Sequence, residues 1–172
     1  YKGGIVDRMG VDYSSTGTNT PNFSLVSGLI VNLETTTNIS NRLTNAYGGV
    51  VGYATGNSFI YGVGVKGEMY VGGDANIRVA GIVGDLRQGL VAQCYEDADI
   101  SYGASTLGVV SGIANMNQLS SMVKATYSSG KITTYVDVNV YTFAYAVAGS
   151  DSSTTNAVRT LEDCYSITQV GR

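Results

Sequence analysis

The segment GGVVGYATGNSFIYGVGV, residues 48–65, contains in succession the two short units from which most of this chain is built. The first unit is a glycine followed by two apolar residues. The second unit is centred on a tyrosine and ends in a valine or isoleucine. The first unit recurs as GGIVDRMG (3–10), SGLIVN (27–32), AGIVGD (80–85) and LGVVSG (107–112). The second unit recurs as QCYEDADI (93–100), ATYSSGKI (125–132) and DCYSITQV (163–170).

The tyrosines of the second unit recur at a nearly constant interval. They stand at positions 61, 95, 127 and 165, which gives spacings of 34, 32 and 38 residues. A repeat of this length is typical of proteins in which neighbouring repeats stack to bury a common core. With short β-branched runs and a single proline, the sequence predicts an all-β, right-handed parallel β-helix. At roughly 16–20 residues per coil, we expect about 8–10 coils.

Local patterns add further expectations. Glycine beside the apolar pair is expected to form sharp corners with positive φ. Residues 133–149, TTYVDVNVYTFAYAVAG, alternate in polarity and predict one half-buried strand, whereas residues 115–125 are the best helix candidate. The Ser-, Thr- and Asn-rich segments are predicted to be loops: 14–24, 35–45 and 150–157. All 172 residues are predicted to form a single domain, and the start at Tyr1 indicates part of a longer or processed protein.

The alternation of GGVVG, AGIVG and GVVSG with CYEDADI, TYSSGKI and CYSITQV resembles the GLUG-motif repeat. That repeat alternates a Gly-Gly-apolar-Val-Gly element with an Asn-Cys-Tyr-Ser-x-Gly-x-Val element. The resemblance covers residues 48–170 and, more weakly, 3–32, and FAYAVA (143–148) departs from it. Members of the family look like bacterial surface and secreted proteins with non-catalytic, β-helix-like repeat regions. The resemblance therefore implies an architecture and an extracellular location, and it implies no active site.

Composition and charge narrow the partners and the compartment. The net charge is −3 and no run of Lys or Arg is present, so the basic footprint of a nucleic-acid-binding protein is missing. No apolar stretch approaches the roughly 18 residues that a membrane span requires. We therefore expect no nucleic-acid partner and no membrane insertion. The polar, charge-poor composition favours the extracellular space or the cell surface, with any signal peptide absent from this chain.

The tyrosines are the candidate binding residues. Equivalent positions of stacked repeats lie above one another, which predicts a ladder of Tyr61, Tyr95, Tyr127 and Tyr165. The flanking residues are expected to face inward and the tyrosines outward: Ile60, Cys94, Thr126 and Cys164. A tyrosine ladder stabilises a sheet by cross-strand packing, and aromatic rings also bind sugars by stacking. Both interpretations stay open.

Disulfide, metal and cofactor chemistry are not expected. Cys94 and Cys164 would lie about 19 Å apart if four coils separated them, whereas a disulfide needs Cα atoms within about 7 Å, so both are predicted to be free and unreactive. The acids at positions 96, 97 and 99 are expected at a solvated corner. GVGVKG (62–67) matches the dinucleotide-binding pattern but lacks the helix that must follow it. The chain has no histidine, so we predict no catalytic residue, no metal site and no cofactor.

These observations predict an extracellular structural or adhesive solenoid without enzymatic activity: a stalk, an adhesin module or a filament subunit. A carbohydrate-binding module that uses a Tyr-rich face is the alternative. A third reading is a β-helical polysaccharide lyase or hydrolase, whose charged residues would come from Asp7, Arg8, Asp85, Arg87, Lys124 and Lys131. The expected partners are a polysaccharide or host-surface ligand and, through unpaired terminal strands, further copies joined end to end.

Overall fold

The computed structural model describes residues 1–10, 23–39, 46–74, 76–116, 121–146 and 159–172, and every regular element in these ranges is a β-strand. Strands that pair between neighbouring coils run parallel throughout the described chain. The predicted fold class is therefore confirmed as an all-β parallel solenoid, while the right-handed sense of the coil stays a prediction. Within the described ranges, no helix is long and apolar enough to cross a membrane.

Each coil has four sides. Coil 1 contains β1 (Lys2–Gly3), β2 (Val6–Met9), β3 (Phe23–Ser27) and β4 (Ile30–Ile39). Coil 2 contains β5 (Ala46–Gly48), β6 (Val51–Ala54), β7 (Asn57–Tyr61) and β8 (Gly64–Gly73). Coil 3 contains β9 (Arg78–Ala80), β10 (Val83–Leu86), β11 (Gly89–Ala92) and β12 (Tyr95–Gly103).

The last two coils divide their fourth side into two short strands. Coil 4 contains β13 (Val109–Ser111), β14 (Ala114–Met116), β15 (Ser121–Lys124), β16 (Tyr127–Ser128) and β17 (Lys131–Thr134). Coil 5 contains β18 (Asn139–Tyr141), β19 (Ala144–Ala146), β20 (Arg159–Glu162), β21 (Tyr165–Ser166) and β22 (Gln169–Gly171).

Stacking of the coils produces four parallel sheets, which we number 1 to 4 in chain order. Sheets 1, 2 and 3 contain five strands each, one from every coil, and sheet 4 contains seven because of the divided strands. The described residues therefore form five coils, and the prediction of 8–10 coils is wrong. That prediction divided each repeat of about 32 residues into two coils, whereas the whole repeat forms the four short sides of one coil.

The interior is filled by columns of apolar side chains, to which each coil contributes one residue. Val50, Ile82 and Ile113 follow one another in the turn between sheets 1 and 2, and all three are fully buried. Sheet 3 supplies a second buried column from coils 2, 3 and 4, composed of Ile60, Val91 and Val123. Burial of one such side chain stabilises the fold by about 1.5–3 kcal/mol, so these columns hold the coils together.

The turn between sheets 1 and 2 needs glycine because backbones of neighbouring coils approach closely. A Cβ at Gly49 would lie 2.2 Å from the carbonyl oxygen of Gly81, and one at Gly81 would lie 2.4 Å from that of Gly112. None of these three glycines has a positive φ. The expected reason for glycine in the glycine-led unit is therefore wrong here, since close packing of the backbone requires it.

The corner between sheets 3 and 4 is where the left-handed backbone occurs. In all five coils the residue at this corner has φ between 47° and 67°: Gly28, Gly62, Gln93, Ala125 and Asp163. For the three non-glycine residues this conformation costs roughly 1–2 kcal/mol, which the surrounding packing must offset. SGLIVN (27–32) therefore occupies the corner before sheet 4 and is not a copy of the glycine-led unit.

Three local predictions need correction. The helix candidate 115–125 contains the end of β14 and all of β15 in its described part, because its apolar residues Met116 and Val123 belong to two solenoid sides. Residues 133–149 are not one strand, since they turn two corners between β17, β18 and β19. The loop predictions fail over Thr35–Ile39 of β4 and at Phe23 and Ser24 of β3, and the rest of the three predicted loops lies outside the described residues.

Candidate functional site

Three of the four predicted tyrosines form one column at the start of sheet 4. Tyr95 pairs in register with Tyr127, and Tyr127 pairs with Tyr165. Each follows the left-handed corner by two residues, and the residue between corner and tyrosine points inward. The tyrosines therefore point outward, and Tyr165 is 58% exposed. We call these three residues the tyrosine column.

The rings of the tyrosine column cover one another's faces. The Tyr95 and Tyr127 centroids are 5.5 Å apart with planes at 13°, and those of Tyr127 and Tyr165 are 5.2 Å apart with planes at 5°. Nearly parallel rings at this distance are stacked with an offset. Burial raises the pKa of the Tyr127 hydroxyl, and Tyr165 and Tyr95 add to the shift. A sugar would therefore meet hydroxyl groups and ring edges over most of the column.

Coil 2 covers the Tyr95 end of the tyrosine column. Gly64 is the register partner of Tyr95, and a Cβ at Gly64 would lie 2.2 Å from the Tyr95 ring. The ammonium group of Lys66 lies 5.8 Å from the centroid of the same ring, within the range of a cation–π contact. The absence of a side chain at Gly64 thus leaves room for the Tyr95 ring, and Lys66 adds a favourable electrostatic contact.

Tyr61 does not belong to the tyrosine column, contrary to the prediction. It lies in sheet 3, where its register partners are Ser27 in coil 1 and Ala92 in coil 3. Tyr61 directly precedes the corner glycine, whereas Tyr95 follows its own corner by two residues. A spacing of 34 residues resembled the period of the repeat and concealed this shift of three positions. Tyr61 is 45% exposed.

Both cysteines are free and belong to one inward column, with Thr126 between them. They lie two coils apart, so their separation is about 9.6 Å along the axis rather than the expected 19 Å. This distance still exceeds the reach of a disulfide. The equivalent residue in coil 2 is Val63, which follows the corner Gly62, and not Ile60. Burial raises the pKa of the Cys94 thiol to about 11.

The partial exposure of Cys164 replaces the expectation that both thiols are unreactive with an expectation that they react at different rates. Cys94 is 2% exposed and Cys164 is partly exposed in the terminal coil, so a small maleimide should label Cys164 in the folded protein and Cys94 only after unfolding. Intact mass with time, followed by peptide mapping, measures both reactions, and Cys164→Ser is the control that should abolish the early label. Equal rates for both thiols, or no early label, would contradict this placement.

The acids of CYEDADI are separated by the alternation of β12. Asp97 and Asp99 point outward, whereas Glu96 is completely buried. The Ala98 backbone N–H donates to Glu96 Oε1 (2.8 Å) and the Ser128 hydroxyl donates to Oε2 (2.6 Å). Burial raises the pKa of Glu96 to about 7, although these two hydrogen bonds oppose the shift. The expected solvated corner is therefore wrong for Glu96, and outward Tyr95 was the sequence signal that its neighbour points inward.

A second cluster, which the sequence showed only as scattered charges, lies on sheet 2 and is joined by Arg78 of sheet 1. Arg8, Tyr53 and Asp85 are register partners in coils 1 to 3. The guanidinium groups of Arg8 and Arg87 lie 5.1 and 5.2 Å from the Tyr53 centroid. Arg78 and Arg87 each lie 3.5 Å from Asp85 Oδ2. Because Asp85 is fully buried, this cluster offers a ligand its guanidinium groups but not its carboxylate.

The remaining motifs form structure. GVGVKG (62–67) turns the corner before sheet 4 and enters β8, and a strand therefore stands where a dinucleotide-binding loop requires a helix. Lys124 pairs with Glu162 of the next coil at 2.7 Å, on the exposed face of sheet 3. Among the described residues, no three or more Cys, Asp or Glu side chains are grouped so that they could hold a metal ion.

Comparison with known proteins found no matching family model, no matching curated protein and no matching solved structure.

Proposed function

We propose that this chain is a structural or adhesive solenoid of an extracellular or cell-surface protein, without catalytic activity. The observation that carries the proposal is the continuous interior: columns of fully buried apolar residues run through coils 2, 3 and 4 without a break. Four parallel sheets share this core, so the coils are held at a fixed spacing and present a regular outer surface. A stalk or an adhesin module needs these two properties.

The location and the family belong to the proposal as well. The sequence resembles the GLUG-motif repeat, and the alternating units that carry the resemblance supply the glycine turn and the tyrosine column of the solenoid. The low content of charged residues, 13%, is compatible with a secreted or surface-exposed protein. We infer from these features that the solenoid acts outside the cell.

Carbohydrate binding is the second candidate, and the outward tyrosine column favours it. Tyr95, Tyr127 and Tyr165 present three hydroxyl groups in a row at the spacing of the coils. Because the ring faces are largely covered, binding would depend on these hydroxyl groups rather than on stacking, except at the outer face of Tyr165. A glycan that uses the column would therefore discriminate between tyrosine and phenylalanine.

A glycan array with three variants separates the two functions. For a structural role we expect no glycan to be retained specifically, by the native protein, by Tyr127→Phe or by Tyr127→Ala. Only Tyr127→Ala should unfold more easily, by about 1–3 kcal/mol, because it removes two stacked ring pairs. Tyr61→Ala is the matched control, since this exposed ring lies outside the column. Retention of a glycan that Tyr127→Phe abolishes would establish the carbohydrate-binding function instead, and release of sugars from a polysaccharide would overturn the non-catalytic proposal.

A further inference from the structure

Sheet 4 brings the phenol groups of coils 3, 4 and 5 next to one another along the outer surface. Tyr95, Tyr127 and Tyr165 come from three different repeats, 32 and 38 residues apart in the sequence. Their ring centroids are nevertheless only 5.5 and 5.2 Å apart, with planes inclined by 13° and 5°. The fold therefore holds two pairs of oxidisable side chains in contact, although the sequence separates them widely.

Backbone hydrogen bonds fix this juxtaposition. The Tyr127 N–H donates to the carbonyl oxygen of Cys94 (3.2 Å), and the Tyr165 N–H donates to that of Thr126 (3.3 Å). Each acceptor directly precedes the neighbouring tyrosine, so the Cα atoms of the column stay one coil apart, at about 4.8 Å. The side chains point outward, where the packed interior does not block rotation about χ1 and χ2. Successive rings can therefore come into bonding contact while their strands stay paired.

We propose that the tyrosine column is a site of oxidative cross-linking, at which a carbon–carbon bond joins the rings of successive coils. The reaction partner is a one-electron oxidant that draws on hydrogen peroxide, as a haem peroxidase does. Tyr127 lies in both ring pairs, so it can be joined to Tyr95, to Tyr165 or to both. Such a bond fastens neighbouring coils covalently, which the two free cysteines cannot do because they lie two coils apart.

The reaction balances without a further reactant. Each of two neighbouring phenols loses one electron and its hydroxyl proton, which gives two phenoxyl radicals. A bond forms between one Cε atom of each ring, and the hydrogen of each bonded Cε atom moves to the phenol oxygen, which restores both hydroxyl groups. The two electrons and two protons reduce one molecule of hydrogen peroxide to two molecules of water. The cross-linked chain has therefore lost two hydrogen atoms for each bond formed.

The surroundings of Tyr127 favour its oxidation. The outward carboxylate of Asp97 lies near enough to the Tyr127 hydroxyl to contribute to the rise of its pKa. A negative charge beside a ring stabilises the electron-poor state that the loss of an electron produces. Contact between the rings then raises the effective concentration of the second phenol, which favours a bond within the chain over a bond between chains.

Two other pairs of tyrosine rings in the described part of the chain are less suited to coupling. The Tyr70 and Tyr135 centroids are 6.3 Å apart, and their planes are inclined by 56°. The Tyr1 and Tyr53 centroids are 4.3 Å apart, but Tyr53 is 1% exposed, and close packing restricts the rotation that a bond needs. Of these described pairs, those of the tyrosine column alone combine nearly parallel rings with outward positions.

Peptide mapping of the folded chain after oxidation tests the proposal. The native chain, Tyr127→Phe and Tyr61→Phe are each treated with a haem peroxidase and hydrogen peroxide in dilute solution, and the monomer is isolated by size exclusion. Trypsin then separates the column, because residues 125–131 contain no tyrosine but Tyr127 and residues 160–172 none but Tyr165. Dityrosine fluorescence and a mass two hydrogen atoms below the sum of two peptides identify the link. Tyr61→Phe is the matched control, since Tyr61 is 45% exposed and its register partners are not aromatic.

The expected result is a link from the Tyr127 peptide to that of Tyr95 or Tyr165, in the native chain and in Tyr61→Phe alike. Tyr127→Phe should lower the yield of links within the column about tenfold, because it keeps the ring but forms no phenoxyl radical, and the two outer tyrosines lie about 9.6 Å apart along the axis. Unfolding in urea before oxidation should lower the yield of the native chain as well.

Three outcomes would overturn the proposal: an oxidised native monomer without this link, a link that forms equally well in urea, or a yield that Tyr127→Phe leaves unchanged. Circular dichroism verifies that each variant is folded before oxidation. The scaffold function would survive these outcomes, because it rests on the interior of the solenoid and not on its outward tyrosines.

Discussion

Between pH 4.5 and 7 the free energy of unfolding is expected to fall by about 3 kcal/mol, and Glu96→Gln is expected to abolish this fall. Burial in the solenoid interior raises the pKa of Glu96 from 4.5 to about 7. A difference of one in pKa between the folded and the unfolded state corresponds to about 1.4 kcal/mol. The folded state binds the proton more tightly, so this stability is fully present below pH 4.5 and is lost as the pH rises to 7. A glutamine side chain does not ionise in this range, and its amide can replace the protonated acid between Ser128 and Ala98.

Urea unfolding at several pH values between 4.5 and 8 measures the effect. The absence of histidine leaves few other side chains that titrate between pH 5.5 and 8, so the signal of Glu96 is well isolated. Glu68→Gln is the matched control, because Glu68 lies outward in the same sheet at an exposed position and should leave the pH profile of the native chain unchanged. A native profile that is flat over this range, or one that Glu96→Gln leaves intact, would show that the carboxyl group is solvated in the folded state.

The sequence carried enough information for the fold class but not for the size of a coil. Alternating units with tyrosines near a 32-residue period predicted parallel stacking, and the pairing of Tyr95 with Tyr127 confirms it. Strand length was the missing quantity: β1 has two residues and β8 has ten, and no pattern of polarity fixes where so short a side turns its corner. Because the corners could not be located from the sequence, neither the number of sides in a coil nor the number of coils could be predicted correctly.

Register was the second limit, because the corner that sets it is not marked by one residue type. Two of the five corners have glycine, the residue expected for a left-handed backbone: Gly28 and Gly62. The other three adopt the same conformation with a non-glycine residue: Gln93, Ala125 and Asp163. Because the corner was not recognised in the sequence, Tyr61 and Tyr95 were aligned by residue type. That alignment is wrong by three positions. Stacking in the neighbouring coils holds these residues in place, and such tertiary compensation is invisible in a single repeat.

The charged clusters were the least predictable features, since their members are distant in sequence. Arg8, Tyr53 and Asp85 come together because each occupies the same position of sheet 2 in successive coils. Glu96 was hidden for another reason, because a carboxyl group in an apolar column departs from the rule that interior positions are apolar. Its hydrogen bond to Ser128 joins two coils, and Ser128 lies in the equivalent column position. Only the register reveals this pair.

Gly49→Ala is expected to destabilise the solenoid by about 3 kcal/mol, near the upper end for added volume in a packed core. The new Cβ would lie 2.2 Å from the Gly81 carbonyl oxygen and 2.9 Å from a methyl group of Leu33. The nearest atom belongs to the backbone of the next coil, which cannot move without breaking the hydrogen bond from the Gly49 N–H to the Ala80 carbonyl. Chemical denaturation followed by circular dichroism measures the loss.

Gly28→Ala is the matched control, because it separates the two reasons for which glycine is needed. Gly28 has a φ of 67° but no atom within 4 Å of an added Cβ, so alanine there should cost only the roughly 1–2 kcal/mol of a left-handed residue. Ala125 already adopts this conformation at the equivalent corner of coil 4, which shows that the fold tolerates it. If Gly28→Ala were as damaging as Gly49→Ala, backbone conformation rather than the close approach of neighbouring coils would be the reason for glycine, and the account of the turn between sheets 1 and 2 would be wrong.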